Sequence, residues 1–184
     1  MRIISGNYGG RRLKAVPGMK TRPTTDKVKE SMFNIIGPYF DGGVVLDLFA
    51  GSGGLSIEAV SRGADVAYLV DRQYQAIKTI KENIKVTKEE QKFNVFKADA
   101  AKALQKFSQQ NIKFDYIFLD PPYAKQQIID NLNNFVELGL LNLNAVIVCE
   151  TDENAQLEDN LQDFEMLKQV TYGITVVTIY RYKG

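Results

Sequence analysis

Apolar positions follow two different periods along this chain. Short apolar runs, which are typical of buried strands, begin at Val44 and recur at residues 65–71, 93–99, 114–120 and 145–150. Between them, apolar residues recur every three or four positions, which predicts helices at residues 55–62, 74–88, 100–109 and 125–138. Strands that alternate with helices indicate a parallel sheet with helices on both faces, so the pattern predicts an α/β fold.

The N-terminal end departs from this alternation. Residues 1–14 place a turn-rich centre between apolar positions, which predicts a small β-hairpin or an extended arm. Residues 28–36 carry an apolar stripe that predicts a helix. Thr24 or Thr25 is suited to cap the start of this helix, and the Gly-Pro pair at residues 37–38 is suited to end it.

The C-terminal end also departs from it. Residues 164–183 contain two β-rich runs on either side of Tyr172-Gly173, which predicts a hairpin that inserts one antiparallel strand into the sheet. We therefore predict a mostly parallel, seven-stranded sheet in a single domain of residues 1–184. Its basic N-terminal extension covers residues 1–40 and its core covers residues 41–184.

The amino-acid composition limits the classes of protein to which this chain can belong. A hydrophobic content of 45% is typical of a globular domain. No apolar run approaches the length of a membrane span and the N-terminus lacks the pattern of a signal peptide, so we expect a cytoplasmic protein. Cys149 is the single cysteine, which excludes an internal disulfide, and its apolar surroundings predict a buried, inert thiol. The absence of histidine excludes a Ser-His-Asp triad and a histidine-ligated metal site, and we expect no metal.

Charge is distributed unevenly along the chain. The net charge is +1, but residues 1–30 hold eight Lys or Arg residues against Asp26 and Glu30, a local charge of +6. A basic segment on a mildly acidic body favours contact with a polyanion at one end. A solvated basic arm without a partner is the alternative.

The most informative stretch is residues 44–54, an apolar run followed by a glycine-rich turn that leads into a predicted helix. Glycine allows a sharp turn and close approach of the backbone to a ligand, and in doubly wound sheets a nucleotide-like ligand sits beside such a turn. Asp71 follows Gly51 by twenty residues, the usual interval for a carboxylate that binds ribose hydroxyls. An ordinary strand-to-helix turn is the alternative.

The details of this loop argue against two common ligands. A dinucleotide fingerprint needs a third glycine where Ser56 stands, and the lysine of a phosphate-binding P-loop is missing. A nucleoside ligand without a pyrophosphate fits better, and S-adenosylmethionine is such a ligand.

Four carboxylates follow predicted strands: Asp47, Asp71, Asp99 and Asp120. The carboxyl ends of parallel strands share one edge of a sheet, so we expect these side chains to gather in one crevice. Each aspartate alone could be a helix N-cap, which is the structural alternative.

The fourth aspartate begins Asp120-Pro121-Pro122-Tyr123. The prolines restrict the backbone, so the Asp120 carboxylate and the Pro121 carbonyl point in fixed directions. Both groups only accept hydrogen bonds, so they suit the two N–H bonds of the planar exocyclic amine of a nucleobase. Tyr123 can stack on the ring of that base. A nearby carboxylate would stabilise the positive charge that a methyl transfer gives the amine. The alternative is a rigid turn without chemistry.

These motifs resemble those of class I S-adenosylmethionine-dependent amino-methyltransferases, on the residues DLFAGSGG from Asp47, Asp71, Asp99-Ala100 and DPPY from Asp120. Residues 1–14 (MRIISGNYGGRRLK) and 22–34 (RPTTDKVKESMFN) closely resemble the bacterial 16S ribosomal RNA guanine-N2 methyltransferase family. The resemblance covers nearly the whole chain. It implies a Rossmann-like methyltransferase fold and methyl transfer from S-adenosylmethionine to guanine N2 of 16S rRNA, within the 30S subunit or an assembly intermediate, by a monomer.

The resemblance also implies roles for individual residues. The expected cofactor-binding residues are Asp47, Phe49, Ala50, Gly51, Ser52, Gly53, Asp71, Arg72, Asp99 and Ala100. The expected catalytic residues are Asp120, Pro121, Pro122 and Tyr123. The expected RNA-binding residues are Arg2, Arg11, Arg12, Lys14, Lys20 and Arg22. Ser56 stands where many relatives have glycine, and we expect no effect of this difference on activity.

Two other functions stay open at this point. A DNA or RNA adenine-N6 methyltransferase would share the Asp-Pro-Pro-Tyr motif, although the chain has no room for a separate DNA-recognition domain. A non-catalytic RNA-binding factor in ribosome assembly could keep the same fold, although the intact acidic strand ends argue against it.

Overall fold

The computed structural model describes residues 1–18, 24–122 and 124–184. The chain divides into two compact units, Met1–Ala100 and Ala101–Gly184. We describe each unit by itself.

The first unit contains three parallel strands. Its elements are α1 (Asp26–Ile36), β1 (Val44–Asp47), α2 (Gly54–Ser61), β2 (Val66–Asp71), α3 (Tyr74–Thr87), a short 3₁₀ turn (Glu90–Lys92) and β3 (Phe93–Lys97). The strand order is β3-β2-β1. The register pairs Asp47 with Leu69 and Asp71 with Lys97, so the carboxyl ends of the three strands lie at one edge.

The second unit contains the terminal hairpin. Its elements are α4 (Ala100–Gln109, which begins at the last residue of the first unit), β4 (Phe114–Leu119), α5 (Ala124–Glu137), β5 (Leu141–Asp152), β6 (Phe164–Tyr172) and β7 (Thr175–Tyr182). The strand order is β4-β5-β7-β6, and β7 is antiparallel to both of its neighbours. The predicted insertion of one antiparallel strand is therefore confirmed.

The seven strands make a mixed, mostly parallel sheet, as the apolar pattern predicted. The main difference is the length of β5, which has 12 residues where the sequence predicted six, at residues 145–150. Its register with β7 runs from Val146↔Arg181 to Asp152↔Thr175. Pairing with β7 thus continues β5 beyond its predicted end, to Thr151 and Asp152.

The N-terminal segment, residues 1–14, forms a hairpin whose strands meet in a single antiparallel bridge, Arg2↔Arg12. The Ile3 N–H donates to the Arg11 carbonyl at 2.8 Å. Ile3, Tyr8 and Leu13 are buried. The hairpin alternative is therefore the correct one, and its apolar side chains make it part of the core of the first unit.

A buried cluster of charges fixes this segment to the unit. Glu58 on α2 is fully buried and accepts hydrogen bonds from the backbone N–H groups of Ile4 (2.8 Å) and Ser5 (3.1 Å). It also pairs with Arg62 at 2.7 Å and with Lys29 of α1 at 3.5 Å. Burial lowers the pKa of the Lys29 ammonium, which the Glu58 carboxylate opposes. One carboxylate therefore holds the hairpin, α1 and α2 together.

The predicted caps of α1 are observed. The Thr25 hydroxyl accepts from the Val28 N–H at 3.3 Å, and Gly37 ends the helix. Cys149 is fully buried, and this burial raises the pKa of its thiol, so the prediction of an inert cysteine is confirmed. In the part of the chain that the structure describes, no helix is both long and apolar enough to span a membrane.

Candidate active site

The glycine-rich loop after β1 is held in place by the end of β2. Gly51 and Gly53 have φ values of +57° and +82°, which disfavour other residues. A Cβ on Gly53 would lie 3.1 Å from the Leu69 side chain, whereas a Cβ on Gly51 would meet nothing within 4 Å. The Ala50 N–H donates to the Val70 carbonyl at 2.9 Å. The loop is therefore packed on its Gly53 side and faces open space at Gly51.

Asp71 fixes this loop through its side chain. Its Oδ2 accepts from the Gly51 N–H at 2.9 Å, and its Oδ1 accepts from the Gln73 N–H at 2.9 Å. Its backbone carbonyl accepts from the Ala98 N–H at 3.1 Å, which connects the ends of β2 and β3. A carboxylate can accept about four hydrogen bonds, so two remain for ligand hydroxyls. The ribose-binding role of Asp71 stays a prediction, and the structure adds a positioning role.

Asp47 is a buried carboxyl group at the end of β1. It is 4% exposed and hydrogen-bonds to the backbone and the side chain of Ser56. Burial, with a smaller contribution from the Asp71 charge, raises the pKa of Asp47 to about 7. Its Oδ2 has no hydrogen-bond partner among the described residues. A buried polar oxygen without a partner is costly, and a cationic ligand group would remove that cost. Asp47 and the open side of Gly51 therefore fit the ammonium end of S-adenosylmethionine.

Ser56 hydrogen-bonds to the buried Asp47 carboxyl group, which its sequence position did not indicate. It is fully buried, and its hydroxyl lies 3.2 Å from the Gly53 carbonyl oxygen. The hydroxyl has one proton, which it can donate either to Gly53 or to the Asp47 carboxylate. When Asp47 is protonated, the hydroxyl can accept its proton instead. The expectation that Ser56 is without effect stays a prediction.

The other predicted cofactor residues are distributed along the same edge. Asp99 is exposed and follows the end of β3 by two residues, and Ala100 begins α4. Arg72 is exposed directly after Asp71, Ala50 is buried and Phe49 is half-buried. The structure thus gathers Asp47, the glycine loop and Asp71 at one edge, with Asp99 after the neighbouring strand.

Sequence reasoning missed Asn83. This residue of α3 is 1% exposed, and its Nδ2 donates to the carbonyls of Ser52 and Lys14, both at 2.9 Å. Its Oδ1 accepts from the Lys14 N–H at 2.8 Å. One side-chain amide therefore joins the N-terminal hairpin to the glycine loop. The available signal was a polar residue beside Ile80 and Ile84 on the apolar stripe of α3.

The predicted catalytic motif lies in the second unit, directly after β4. Asp120 and Pro122 are exposed and Pro121 is buried, while Tyr123 lies outside the described residues. Pro121 restricts the backbone of Asp120, which directly follows the last residue of β4. The meeting of this motif with the glycine loop stays a prediction.

Three of the six predicted RNA-binding residues have partners within the first unit. Arg2 pairs with Asp26 and Lys14 pairs with Glu82, both at 3.3 Å. The Arg11 guanidinium donates to the carbonyls of Val86 (3.0 Å) and Thr87 (3.2 Å) at the end of α3, so it also stabilises that helix. Arg12 is exposed, and Lys20 and Arg22 lie outside the described residues.

The fold is that of a Rossmann-like methyltransferase. A solved structure described as "Putative methyltransferase yhhF from Escherichia coli" matches with a TM-score of 0.84 at 28% identity, over 100% of this chain and 98% of its own. The chain belongs to the family described as "Conserved hypothetical protein 95", whose model matches residues 1–181.

Two curated relatives match over nearly their whole length. "Putative rRNA methyltransferase YlbH" of Bacillus subtilis is 49% identical over 184 residues, which is 100% of both chains. "Ribosomal RNA small subunit methyltransferase D" of Haemophilus influenzae is 32% identical over 182 residues, which is 98% of this chain and 93% of that protein.

Proposed function

We propose that this chain is an S-adenosylmethionine-dependent methyltransferase that modifies the exocyclic N2 of a guanine in 16S ribosomal RNA. The observation that carries the proposal is the glycine loop tied to Asp71, beside the buried Asp47 oxygen that lacks a described partner. The names of the two relatives supply the substrate class. The nucleotide base and the N2 position come from the family resemblance of residues 1–14 and 22–34.

The residues at the edge of the first unit would hold the cofactor. The Gly51–Gly53 backbone and Asp47 would receive its amino-acid end, Asp71 would accept from the ribose hydroxyls, and Asp99 with Ala100 would contact the adenine. When bound, S-adenosylmethionine supplies an electrophilic methyl group on a sulfonium and leaves as S-adenosylhomocysteine. The chain itself supplies position and charge, which account for much of the catalysis in such transfers.

The Asp-Pro-Pro-Tyr segment would hold the target base. The Asp120 carboxylate and the Pro121 carbonyl would accept the two N–H bonds of guanine N2, and Tyr123 would stack on the ring. Removing the amine from conjugation with the ring frees its lone pair, and the carboxylate stabilises the charge that develops on nitrogen. The base would have to leave its stack to reach this position, as in other base-modifying enzymes.

The substrate and its setting follow from the same proposal. The enzyme would act in the cytoplasm as a monomer, on rRNA within the 30S subunit or an assembly intermediate. Residues 1–184 would form one catalytic domain, in which the basic residues of the N-terminal extension contact RNA phosphates.

The decisive experiment has two arms. Nucleosides from the 16S rRNA of a strain lacking this protein are compared by mass spectrometry with those of the parent strain, and we expect one N2-methylguanosine to disappear. The purified protein is then given labelled S-adenosylmethionine and 30S subunits from the deletion strain, and we expect the label at the same guanine. Label on adenine N6 would replace the proposal with the adenine methyltransferase. Binding without any transfer would favour the non-catalytic assembly factor.

A further inference from the structure

One face of α3 combines a shallow groove with a row of lysines. The groove has a volume of about 270 Å³ and is lined by Tyr74, Ile77, Lys78, Lys81, Glu82 and Lys85. Residues three or four positions apart lie side by side on a helix, so Tyr74 and the three lysines follow one another along this face. Arg72 and Lys88 are exposed before and after the helix. We call this set, residues 72–88 on the exposed side, the α3 face.

Within the residues that the structure describes, no ion pair neutralises the lysines of this face. Lys78, Lys81 and Lys85 are exposed and form no ion pair among the described residues. Glu82 is the carboxylate in the groove lining, and it pairs with Lys14 at 3.3 Å. The groove therefore presents three positive charges, while its single negative charge already has a partner.

An aromatic ring lies at one end of this row. Tyr74 is 66% exposed, although it is a large side chain at the first position of α3. It follows Asp71 by three residues, so the row begins at the edge where the glycine loop and Asp71 lie. Aromatic rings beside a basic groove are the usual platform for unpaired bases, since every base has a face that can stack.

The N-terminal hairpin lies against the same helix. Lys14 contacts Glu82 and Asn83 of α3, and Arg11 donates to the Val86 and Thr87 carbonyls at its end. Lys14 of the hairpin therefore lies beside the groove that the α3 lysines line. The hairpin charges that the sequence assigned to RNA are partly satisfied within the protein, whereas the lysines of α3 have no ion-pair partner in the part of the chain that the structure describes.

We propose that the α3 face is a docking surface for the substrate RNA, with Lys78, Lys81 and Lys85 on phosphates and Tyr74 stacked on an unpaired base. This inference rests on the proposed function. Charge complementarity identifies the occupant, since three unpaired cations and one exposed ring match the phosphates and bases of an RNA strand.

The test compares two double variants that each remove two positive charges. Lys81→Gln with Lys85→Gln changes the α3 face, and Lys168→Gln with Lys183→Gln changes exposed lysines of the second unit. Binding of an rRNA fragment is measured across a series of salt concentrations. Each lost phosphate contact lowers the salt slope by about 0.7 for a single strand, so we expect a decrease of about 1.4 in the first variant and none in the second.

The kinetic readout separates docking from catalysis. The Lys81/Lys85 variant should raise KM for RNA and leave both kcat at saturating RNA and cofactor affinity unchanged. Tyr74→Ala should weaken RNA binding at least about fivefold, whereas Tyr74→Phe, which keeps the ring, should bind like the wild type.

Three results would overturn the inference. The first is an equal salt slope in the two double variants. The second is a Tyr74→Ala variant with wild-type affinity for RNA. The third is an α3 variant that binds naked rRNA normally but no longer binds 30S subunits, since a ribosomal protein would then be the partner of this face. Loss of the proposed function is distinguishable, because wild-type protein would then transfer no methyl group to guanine whatever its RNA affinity.

Discussion

The backbone N–H of Gly51 donates to Asp71 Oδ2 at 2.9 Å, so the carboxylate at the end of β2 sets the position of the loop that follows β1. A second carboxylate makes a similar contact at the opposite end of β2. Asp65 Oδ2 accepts from the Gly43 N–H at 2.9 Å, before β1 begins. The two pairs are chemically alike and differ in their place, so they form a matched comparison.

Replacing Asp71 should impair the cofactor site far more than replacing Asp65. Asp71→Ala removes the anchor of Gly51 and two acceptors for ribose, and we expect cofactor affinity to fall by about tenfold or more. Asp65→Ala loses the same kind of hydrogen bond away from the site and should keep wild-type affinity. Isothermal titration calorimetry with S-adenosylhomocysteine measures both. Equal affinities in the two variants would show that Asp71 does not contribute to cofactor binding.

Asp47 should make stability depend on pH. Its pKa is raised to about 7 in the folded protein from an ordinary value of 3.8, so the folded state holds a proton that the unfolded state has lost between these pH values. The contribution of this group to stability is therefore complete below about pH 4, falls as pH rises and is lost above about pH 7. Asp47→Asn should remove this decline. Denaturant unfolding of both proteins from pH 4 to 8 measures it, and parallel curves would contradict the prediction.

The same carboxyl group should link cofactor binding to a proton. A cationic group beside Asp47 favours its ionised form, so binding near pH 6 should release a proton and affinity should rise toward pH 7. Calorimetry in two buffers of different ionisation enthalpy counts the protons released. Asp47→Asn should release no proton from this position. An unchanged proton count in that variant would show that Asp47 is not the group that releases the proton.

Asn83 should couple the N-terminal hairpin to the glycine loop. Asn83→Ala leaves the Ser52 carbonyl and both backbone groups of Lys14 without their partner, so cofactor affinity and stability should both fall. Asn131 is the control, since it is also buried, at 2% exposure, but lies in the second unit. The Asn131 Nδ2 has no hydrogen-bond partner among the described residues, so Asn131→Ala should leave cofactor affinity unchanged. Thermal unfolding and cofactor titration of the two variants separate these effects, and normal cofactor affinity in Asn83→Ala would refute the coupling.

Glu58 should be a major source of stability in the first unit. Glu58→Ala leaves the buried Lys29 and Arg62 charges without their carboxylate, and such losses cost about 3–5 kcal/mol. The exposed pair between Arg181 and Glu165 serves as the control, and Glu165→Ala should cost less than about 1 kcal/mol. Chemical denaturation gives both values. Similar values would show that the buried cluster adds no more than a surface pair.

Asp120 should be required for transfer but not for cofactor binding. Asp120→Ala removes the acceptor that would orient guanine N2 and stabilise its charge, and we expect methyl transfer to fall by at least about a hundredfold. Affinity for S-adenosylhomocysteine should stay within about twofold of the wild type. Asp115 on β4 provides a control at the other end of the same strand, and Asp115→Ala should keep most activity. Full turnover by Asp120→Ala would exclude the catalytic role.

The sequence by itself determined the order of strands and helices, the terminal hairpin, the caps of α1 and the aspartates that follow the strands. These features depend on local periodicity, on proline and glycine, and on the rule that the carboxyl ends of parallel strands share an edge. The tertiary structure alone decided which charges are satisfied within the protein. Glu58 pairs with two cations and accepts from two backbone N–H groups. Asn83 donates to the carbonyls of Lys14 and Ser52. Arg11 donates to the last carbonyls of α3. Apart from the local Glu58–Arg62 pair, these contacts join residues about 30 to 76 positions apart. The physical reason is that a contact over such a separation leaves no periodic trace in the chain.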